Sequence, residues 1–401
     1  MYFLIDCNNF YASCEQLFTP AYRDRPLVVL SNNDGCVVAR SKEAKALGIP
    51  MGAPVYQWRE HFLHHNVISL SSNFPLYADM SQRVIATLET FSLPIEVYSI
   101  DECFLECQDI ALAEKIRKQV YQWTGIPTSI GIGPTKTLAK LANRIAKDHH
   151  CGTHIFQSIP KDFPVEEIWG IGRRMKKTLY SYGVTTAKQF CNLDETWVKK
   201  KLSVAGLRTL LELKGIACRT ENEMYISAKS ILSSRSFTKP LTTYRDVSES
   251  LSTFVAKASQ KLRRKQLQTN FITIFISTNR FKKESFYSNS CSCRLPLATS
   301  FTPTLIEYAK KMLKEIYRDG DEYKRAGVLL TELSGAHEKQ LDLLAQNPST
   351  EKEKRAMEAL DQINRRYGTR LLYYGAEKRT ASAHINRSFT TSWEQLPKIY
   401  L

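Results

Sequence analysis

The most pointed chemistry in the chain lies in three carboxylates. Asp6 ends the apolar run Tyr2–Ile5, and the adjacent pair Asp101-Glu102 sits within the strand-like run Val97–Leu105. Acids at the ends of neighbouring strands can converge on hard divalent cations; Mg²⁺ takes oxygen ligands, usually one or two carboxylates completed by substrate phosphates. Two such ions roughly 3.5–4 Å apart clamp the attacking and leaving oxygens of a phosphoryl transfer. The same residues also suit a turn aspartate and a solvated hairpin tip. A triphosphate needs cations as complement. Arg40, Lys42 and Lys45 lie in or beside a short helix expected over 41–47, and Lys136 and Lys140 lie four apart on one helix face. Each equally fits a solvated surface. Gly131-x-Gly133 is a partial phosphate signal, without the dinucleotide fingerprint or a Walker lysine.

The elements that must position these residues follow from the pattern. Tyr2–Ile5, Leu27–Leu30 and Thr128–Gly133 have the β-branched, apolar character of buried strands. Ser41 is an N-cap for the 41–47 helix and Gly48 follows its end. Helical spacing covers Ala111–Trp123 and Thr135–Ala146. Strands and helices thus interleave over the first 160 or so residues, the pattern of an α/β or α+β sheet domain. Residues 165–220 are helical in period. Residues 231–340 mix strands, Asn270–Thr278 among them, with amphipathic helices near 247–265 and 303–317; there Lys and Arg outnumber Asp and Glu by 19 to 10. A final helix after Thr350 carries a capping box with Glu353 and the apolar stripe Met357, Leu360, Ile363.

Trp169-Gly170-Ile171-Gly172-Arg173-Arg174 separates two apolar helical stretches. Glycines there let backbone N–H groups at the next helix start approach a phosphate, with Arg173 and Arg174 alongside, as in a helix–hairpin–helix module. A plain αα-turn is the other reading. The groups His149-His150-Cys151 with His154, and His61, His64 and His65, lack zinc spacing. Cys291 and Cys293 fit strand alternation.

The chain has 401 residues, enough for two to four domains at roughly 100–200 residues each. With 43% hydrophobic and 24% charged residues it fits neither a disordered polyanion nor a membrane protein. A net charge of +16 points to a polyanionic partner, nucleic acid or acidic lipid. No apolar run reaches the ~18–20 residues of a spanning helix, and Met1–Asp6 has no basic region of a signal peptide. Ten cysteines without a CxxC pair suit reduced thiols. The expected compartment is cytoplasmic.

Taken together, several stretches resemble the Y-family of translesion DNA polymerases: Asp6–Glu15, Ser31–Arg40, Glu43–Gly48, Leu76–Ser81, Tyr98–Glu102, Lys136–Asn143, Trp169–Arg174 and Ser234–Phe237. They run in family order from residue 1 to about 240, with weaker similarity beyond. The resemblance implies an α+β multidomain right hand. A ferredoxin-like palm would span 1–19 and 74–164, small fingers 20–73, and a helix–hairpin–helix thumb 165–230. A mixed α/β, DNA-binding little finger would span 231–339, and a tail 340–401.

The resemblance further implies error-prone, template-directed translesion synthesis in the SOS response to DNA damage. Asp6, Asp101, Glu102 and the backbone carbonyl of Cys7 would hold two Mg²⁺ ions. Tyr11 would be the steric gate against a ribose 2′-OH, with Phe10 beside it. Lys45 and Lys140 would hold the incoming dNTP, with Arg40 a weaker candidate. Gly170, Gly172, Arg173 and Arg174 would contact DNA, as would Arg263, Arg264 and Lys265 in the basic segment. Gln340, Leu341, Leu343 and Leu344 resemble a sliding-clamp peptide, although an amphipathic element end fits too. Implied partners are primed, damaged DNA, the clamp, a UmuD-type dimer and a RecA filament, in a bacterial cytoplasm near the nucleoid. Three residues depart from the family pattern: Cys103 where alanine is usual, Lys42 where some archaeal members have tyrosine, and Leu344 where phenylalanine is common. The rival class is a catalytically silent, polymerase-like scaffold that binds damaged DNA.

Overall fold

The computed structural model describes residues 1–31, 34–148, 151–219, 229–282, 286–335, 351–367 and 371–377. Two compact units divide them, one within residues 1–224 and one within 225–383.

The first unit opens with β1 (Tyr2–Cys7) and α1 (Phe10–Phe18), then β2 (Leu27–Leu30) and β3 (Val37–Arg40). Next come α2 (Lys42–Ala46), α3 (Val55–His64), β4 (Ile68–Ser71) and α4 (Phe74–Glu89). They are followed by β5 (Ile95–Val97), β6 (Glu102–Glu106), α5 (Leu112–Thr124) and β7 (Thr128–Gly133). The unit continues with α6 (Lys136–Asp148), β8 (Thr153–Ile155), α7 (Arg173–Ser181), α8 (Ala187–Cys191) and α9 (Glu195–Leu213).

A central sheet has the order β5-β6-β1-β7-β8, and β2 forms the middle of a separate three-stranded sheet, β3-β2-β4. Strand β1 is therefore covered by neighbours on both edges, and Phe3, Leu4 and Ile5 are almost wholly buried. The run over 97–105, strand-like on both sides of the acidic pair, divides between two strands. The N–H groups of Tyr98 and Ser99 both donate to the Glu102 carbonyl (3.0 and 3.1 Å), which folds the chain back between β5 and β6.

Helix α6 lies directly on the sheet. A Cβ on Gly131 would stand 2.2 Å from the Ala139 carbonyl oxygen, and one on Gly133 would stand 2.6 Å from the Ala139 nitrogen. These glycines serve close helix–strand packing rather than a phosphate loop. Asn143 fixes the helix by donating to the backbone carbonyls of Leu4 (3.4 Å) and Ser129 (2.8 Å). Farther on, wholly buried Glu212 accepts the N–H groups of Thr137 (3.0 Å), Cys218 (2.7 Å) and Arg219 (3.2 Å). One carboxylate thereby joins the first turn of α6 to the end of α9, where it also meets the helix's exposed N–H groups.

The second unit contains β9 (Ile231–Leu241), α10 (Tyr244–Arg264), β10 (Leu267–Ser277), β11 (Ser288–Thr299), α11 (Thr302–Ile316), β12 (Tyr323–Gly335) and α12 (Glu351–Arg366). Its sheet runs β11-β10-β12-β9. Ile272, Ile274 and Ile276 of β10 pack with Val328 and Leu330 of β12 against the apolar stripes of α10 and α11. Cys291 and Cys293 pair in register with Ile274 and Ile272, as strand alternation requires. On α12, Met357 is buried while Leu360 and Ile363 are half-buried.

Candidate active site

The register of the central sheet gathers the three acids. Asp6 lies opposite Glu102 on one side and Ser129 on the other. The Cys7 N–H donates to the Asp101 carbonyl at 2.8 Å, so the pair begins where β1 ends. Ser99, within the tight turn, donates its hydroxyl to Asp101 Oδ1 at 2.5 Å and fixes that carboxylate.

Asp6 is nearly enclosed. Burial, reinforced by the charges of Glu102 and Asp101, pushes its carboxyl up from the ordinary 3.8 to about 6, against the opposing pull of Lys147. Lys147 Nζ sits 2.7 Å from Asp6 Oδ2. Lys140 Nζ reaches both oxygens of Glu102, at 3.2 and 3.0 Å, and lies 4.4 Å from the ring centre of Tyr98 and 5.0 Å from that of Trp169. Lys45 stands at the rim. Partial desolvation, then the charges of Arg40 and Lys147, lower its pKa, while Asp6 draws it up. Arg40 donates to the Ile49 carbonyl and so faces the turn after α2.

Lys147 was not among the residues expected to hold a triphosphate, whereas Lys140 was. The structure puts Lys140 on a carboxylate and Lys147 beside Asp6. A sequence signal existed, because residues seven apart lie two turns along one helix face.

Tyr11, near the start of α1, stacks on Tyr77 with ring centres 4.3 Å apart and planes at 13°. Phe74 meets it edge-on at 5.9 Å, and Phe10 lies beside it at 5.8 Å. Tyr77 in turn donates its hydroxyl to buried Glu15 at 2.6 Å. Burial and the charge of Asp101 both raise the Tyr11 pKa, in keeping with a phenol facing the acids.

The donor set suits a hard cation. Three carboxylates and the Cys7 carbonyl are oxygen donors. The nearby thiols are protonated at neutral pH: burial pushes Cys103 up to about 12 and Cys7 well above its usual range. That chemistry fits Mg²⁺ and disfavours a soft ion. Asp6 and Glu102 each pair with a lysine, Asp101 accepts from Ser99, and among the described residues no three His, Cys, Asp or Glu side chains are arranged as a metal cage. His61 and His64 instead meet the His65 ring at a tilt and edge-on, and His149 and His150 lie outside the described residues.

The expected DNA-contact residues separate. Gly170 has φ +100°, and a Cβ there would be 2.7 Å from Thr209 Oγ1, so the hairpin requires glycine. Gly172 caps α7 without a side-chain hydrogen bond, and Arg173 and Arg174 are exposed in its first turn. In the second unit Arg264 and Lys265 are exposed. Arg263 is engaged elsewhere: it binds Asp361 through two contacts (2.7 and 3.0 Å), the Ser300 carbonyl (3.0 Å) and Thr302 Oγ1 (2.9 Å). Its guanidinium holds α12. Gln340, Leu341, Leu343 and Leu344 lie outside the described residues.

Solved structures that share this architecture include a Y-family DNA polymerase chimera and a Dbh DNA polymerase complex. A Dbh–Dpo4–Dbh chimera of that class superposes with a TM-score of 0.65 at 22% identity, covering 82% of this chain and 98% of the chimera. An insertion ternary complex of Dbh DNA polymerase gives 0.52 at 21% identity, covering 82% and 98%. Those likenesses establish the fold, a multidomain α+β architecture. The chain belongs to the impB/mucB/samB family, whose model matches residues 5–144 and whose C-terminal domain matches 228–343. It is 37% identical to Protein UmuC of Salmonella typhimurium with both chains wholly covered. It is 27% identical to DNA polymerase IV 1 of Bacillus subtilis over 96% of each. Residues 354–399 match a domain of unknown function, DUF4113.

Proposed function

We propose that the chain is an error-prone, template-directed DNA polymerase acting in translesion synthesis during the SOS response. The observation that carries this reading is the convergence of Asp6, Asp101 and Glu102 at one end of the paired strands β1 and β6, with Lys147, Lys45 and the stacked Tyr11 around them. Residues 1–19 and 74–164 serve as palm, 20–73 as fingers, 165–230 as thumb, 231–339 as little finger and 340–401 as tail.

Asp6, Asp101, Glu102 and the Cys7 carbonyl are the groups that would hold two Mg²⁺ ions. When bound, the ions supply charge neutralisation for the attacking primer 3′-hydroxyl and the departing pyrophosphate. In the reaction the hydroxyl oxygen bonds to the α-phosphorus of a dNTP and the bond to the β-phosphate oxygen breaks. Lys147 and Lys45 draw the triphosphate to the acids, and the Tyr11 ring, held by Tyr77, occupies the space of a ribose 2′-OH. Arg173, Arg174 and the uncapped N–H groups of α7 grip backbone phosphates without reading sequence. On the second unit, strand alternation sets Arg294 and Arg325 on the sheet face opposite Ile272, Ile274 and Ile276, where cations can follow a duplex.

A sliding clamp, a UmuD-type dimer and a RecA filament complete the proposed assembly. Among the described residues no helix is long and apolar enough to cross a membrane, and the proposed site of action is the bacterial nucleoid.

Primer extension tests the reading, on primed template with and without one abasic site, comparing wild type with Asp101→Ala. Mg²⁺, dNTPs, clamp, UmuD-type partner and activated RecA are all supplied. Extension past the site by wild type alone is expected. If neither protein extends while both bind DNA, the chain is a silent scaffold.

A further inference from the structure

We propose that Trp169, at the head of the thumb hairpin, is a positioning residue that sets Glu102 for its metal by holding Lys140. The inference rests on the polymerase reading and adds a connection between the DNA-gripping hairpin and the metal carboxylates.

The chain of contacts is continuous. The indole N–H of Trp169 donates to the Tyr98 hydroxyl at 3.0 Å, and the two rings meet edge to face, 5.3 Å apart at 85°. Lys140 Nζ lies over both rings and binds both oxygens of Glu102, with its side chain only 16% exposed. Tyr98 itself belongs to the turn that presents Asp101 and Glu102. The ammonium is thus confined by two aromatic faces to one position, and an ammonium held by ring faces is drawn to them electrostatically. A carboxylate whose two oxygens share that fixed cation has its plane and rotamer set before a metal arrives.

The other side of Trp169 belongs to the hairpin. The Arg219 guanidinium lies 4.0 Å from the indole centre and donates to Thr209 Oγ1 at 3.3 Å. Thr209 and Arg219 are the groups that crowd the Cβ position of Gly170. Arg219 is anchored through its own N–H to buried Glu212. Gly170 to Arg174 therefore cannot shift on DNA without moving the indole that confines Lys140. Lys140 so acts on Glu102, and Trp169 acts through Lys140 rather than touching substrate.

A double-mutant cycle of Trp169→Phe and Lys140→Met tests this, reading Mn²⁺ binding to the full chain without DNA by electron paramagnetic resonance. Phenylalanine keeps an apolar ring but loses the indole N–H and much of the cation attraction. We expect Trp169→Phe to weaken Mn²⁺ binding about 3- to 10-fold in the wild-type background. In the Lys140→Met background it should change nothing, because the intermediary is gone. Equal effects in both backgrounds, no effect in either, or tighter binding in Trp169→Phe overturn the inference. Should Trp169→Phe fail to fold by circular dichroism, Tyr98→Phe removes only the hydroxyl that accepts the indole N–H. It should weaken Mn²⁺ about 2-fold, and an unchanged affinity there overturns the inference equally. Primer extension by wild type, run separately, reports on the polymerase reading itself, so the two can fail independently.

Discussion

Lys147 and Asp6 face each other across the end of the central sheet, Nζ to Oδ2 at 2.7 Å. The lysine comes from the last turn of α6 and the aspartate from the penultimate residue of β1. This cation is therefore delivered to the acids by the helix that Gly131 and Gly133 allow onto the sheet.

Loss of that cation should be felt by the nucleotide more than by the DNA. Lys147→Ala is expected to raise the KM for dNTP about 10- to 100-fold, the worth of a charge-assisted contact to phosphate. Duplex affinity should stay within about 2-fold. Single-nucleotide insertion over a dNTP series, with a parallel DNA-binding titration, measures both. An unchanged KM would mean that Lys147 serves only as a counter-ion to Asp6.

The elevated pKa of Asp6 carries a sign for stability. The folded chain holds that proton more tightly than the unfolded chain, so ionising Asp6 costs stability at pH above about 6. The cost fades as pH falls through 6 towards the unfolded value of 3.8. Without divalent metal, Asp6→Asn should therefore stabilise the protein at pH 7.5 by up to about 3 kcal/mol. The gain should shrink by pH 5, as thermal unfolding at the two pH values would show. A gain independent of pH would assign the effect to something other than ionisation.

Tyr11 and Tyr77 should separate function from stability. Tyr11→Ala opens the space beside the sugar, and insertion of ribonucleotides relative to deoxyribonucleotides should rise at least about 10-fold, one lost steric exclusion. Tyr77→Phe keeps the stacked ring and its sugar discrimination, yet weakens the hydrogen bonding of buried Glu15. It should destabilise by about 1–3 kcal/mol in urea unfolding. Relaxed sugar selection in Tyr77→Phe would show that the hydroxyl, not the ring, supports the gate.

The ion pair between Arg263 and Asp361 predicts how the tail helix is held. Both side chains are largely covered, 13% and 15% exposed, so removing one leaves a poorly solvated charge. Arg263→Ala should free α12, and limited proteolysis should cut within 351–366 at a rate at least about 10-fold higher. Arg264→Ala, at an exposed neighbour, should leave the cutting rate unchanged and instead weaken DNA binding. Equal proteolysis in both variants would show that apolar contacts such as Met357 hold the helix unaided.

How far the sequence alone could reach differs from one residue to the next. The strands Leu27–Leu30 and Thr128–Gly133 were visible as uninterrupted apolar runs because both are buried, and Ser41 was visible as an N-cap because it accepts the Ala44 N–H. The break at residues 98–101 was legible only as one of two readings, strand or hairpin, since Tyr, Ser and Ile are all strand formers and the turn depends on two N–H groups sharing the Glu102 carbonyl. Arg263 looked like its neighbours Arg264 and Lys265 because composition says nothing about a partner 98 residues away. Lys136 looked like a site cation, but it is buried in an ion pair with Glu96, a partner set by the fold. Glu212 gave no local sign at all, as its three partners are backbone N–H groups.

The place of β1 in the middle of its sheet bears on how the protein is made. Strand β1 pairs with β6 and β7, about a hundred or more residues later in the chain. Asp6 has no Glu102 opposite it until β6 is made, and no Lys147 beside it until α6 is complete. The apolar residues Phe3 to Ile5 must wait exposed, in a chain whose non-local pairing makes closure slow. A cluster of side chains distributed in this way cannot be assembled on a partial nascent chain. Any chain interrupted before residue 147 lacks the lysine that pairs with Asp6.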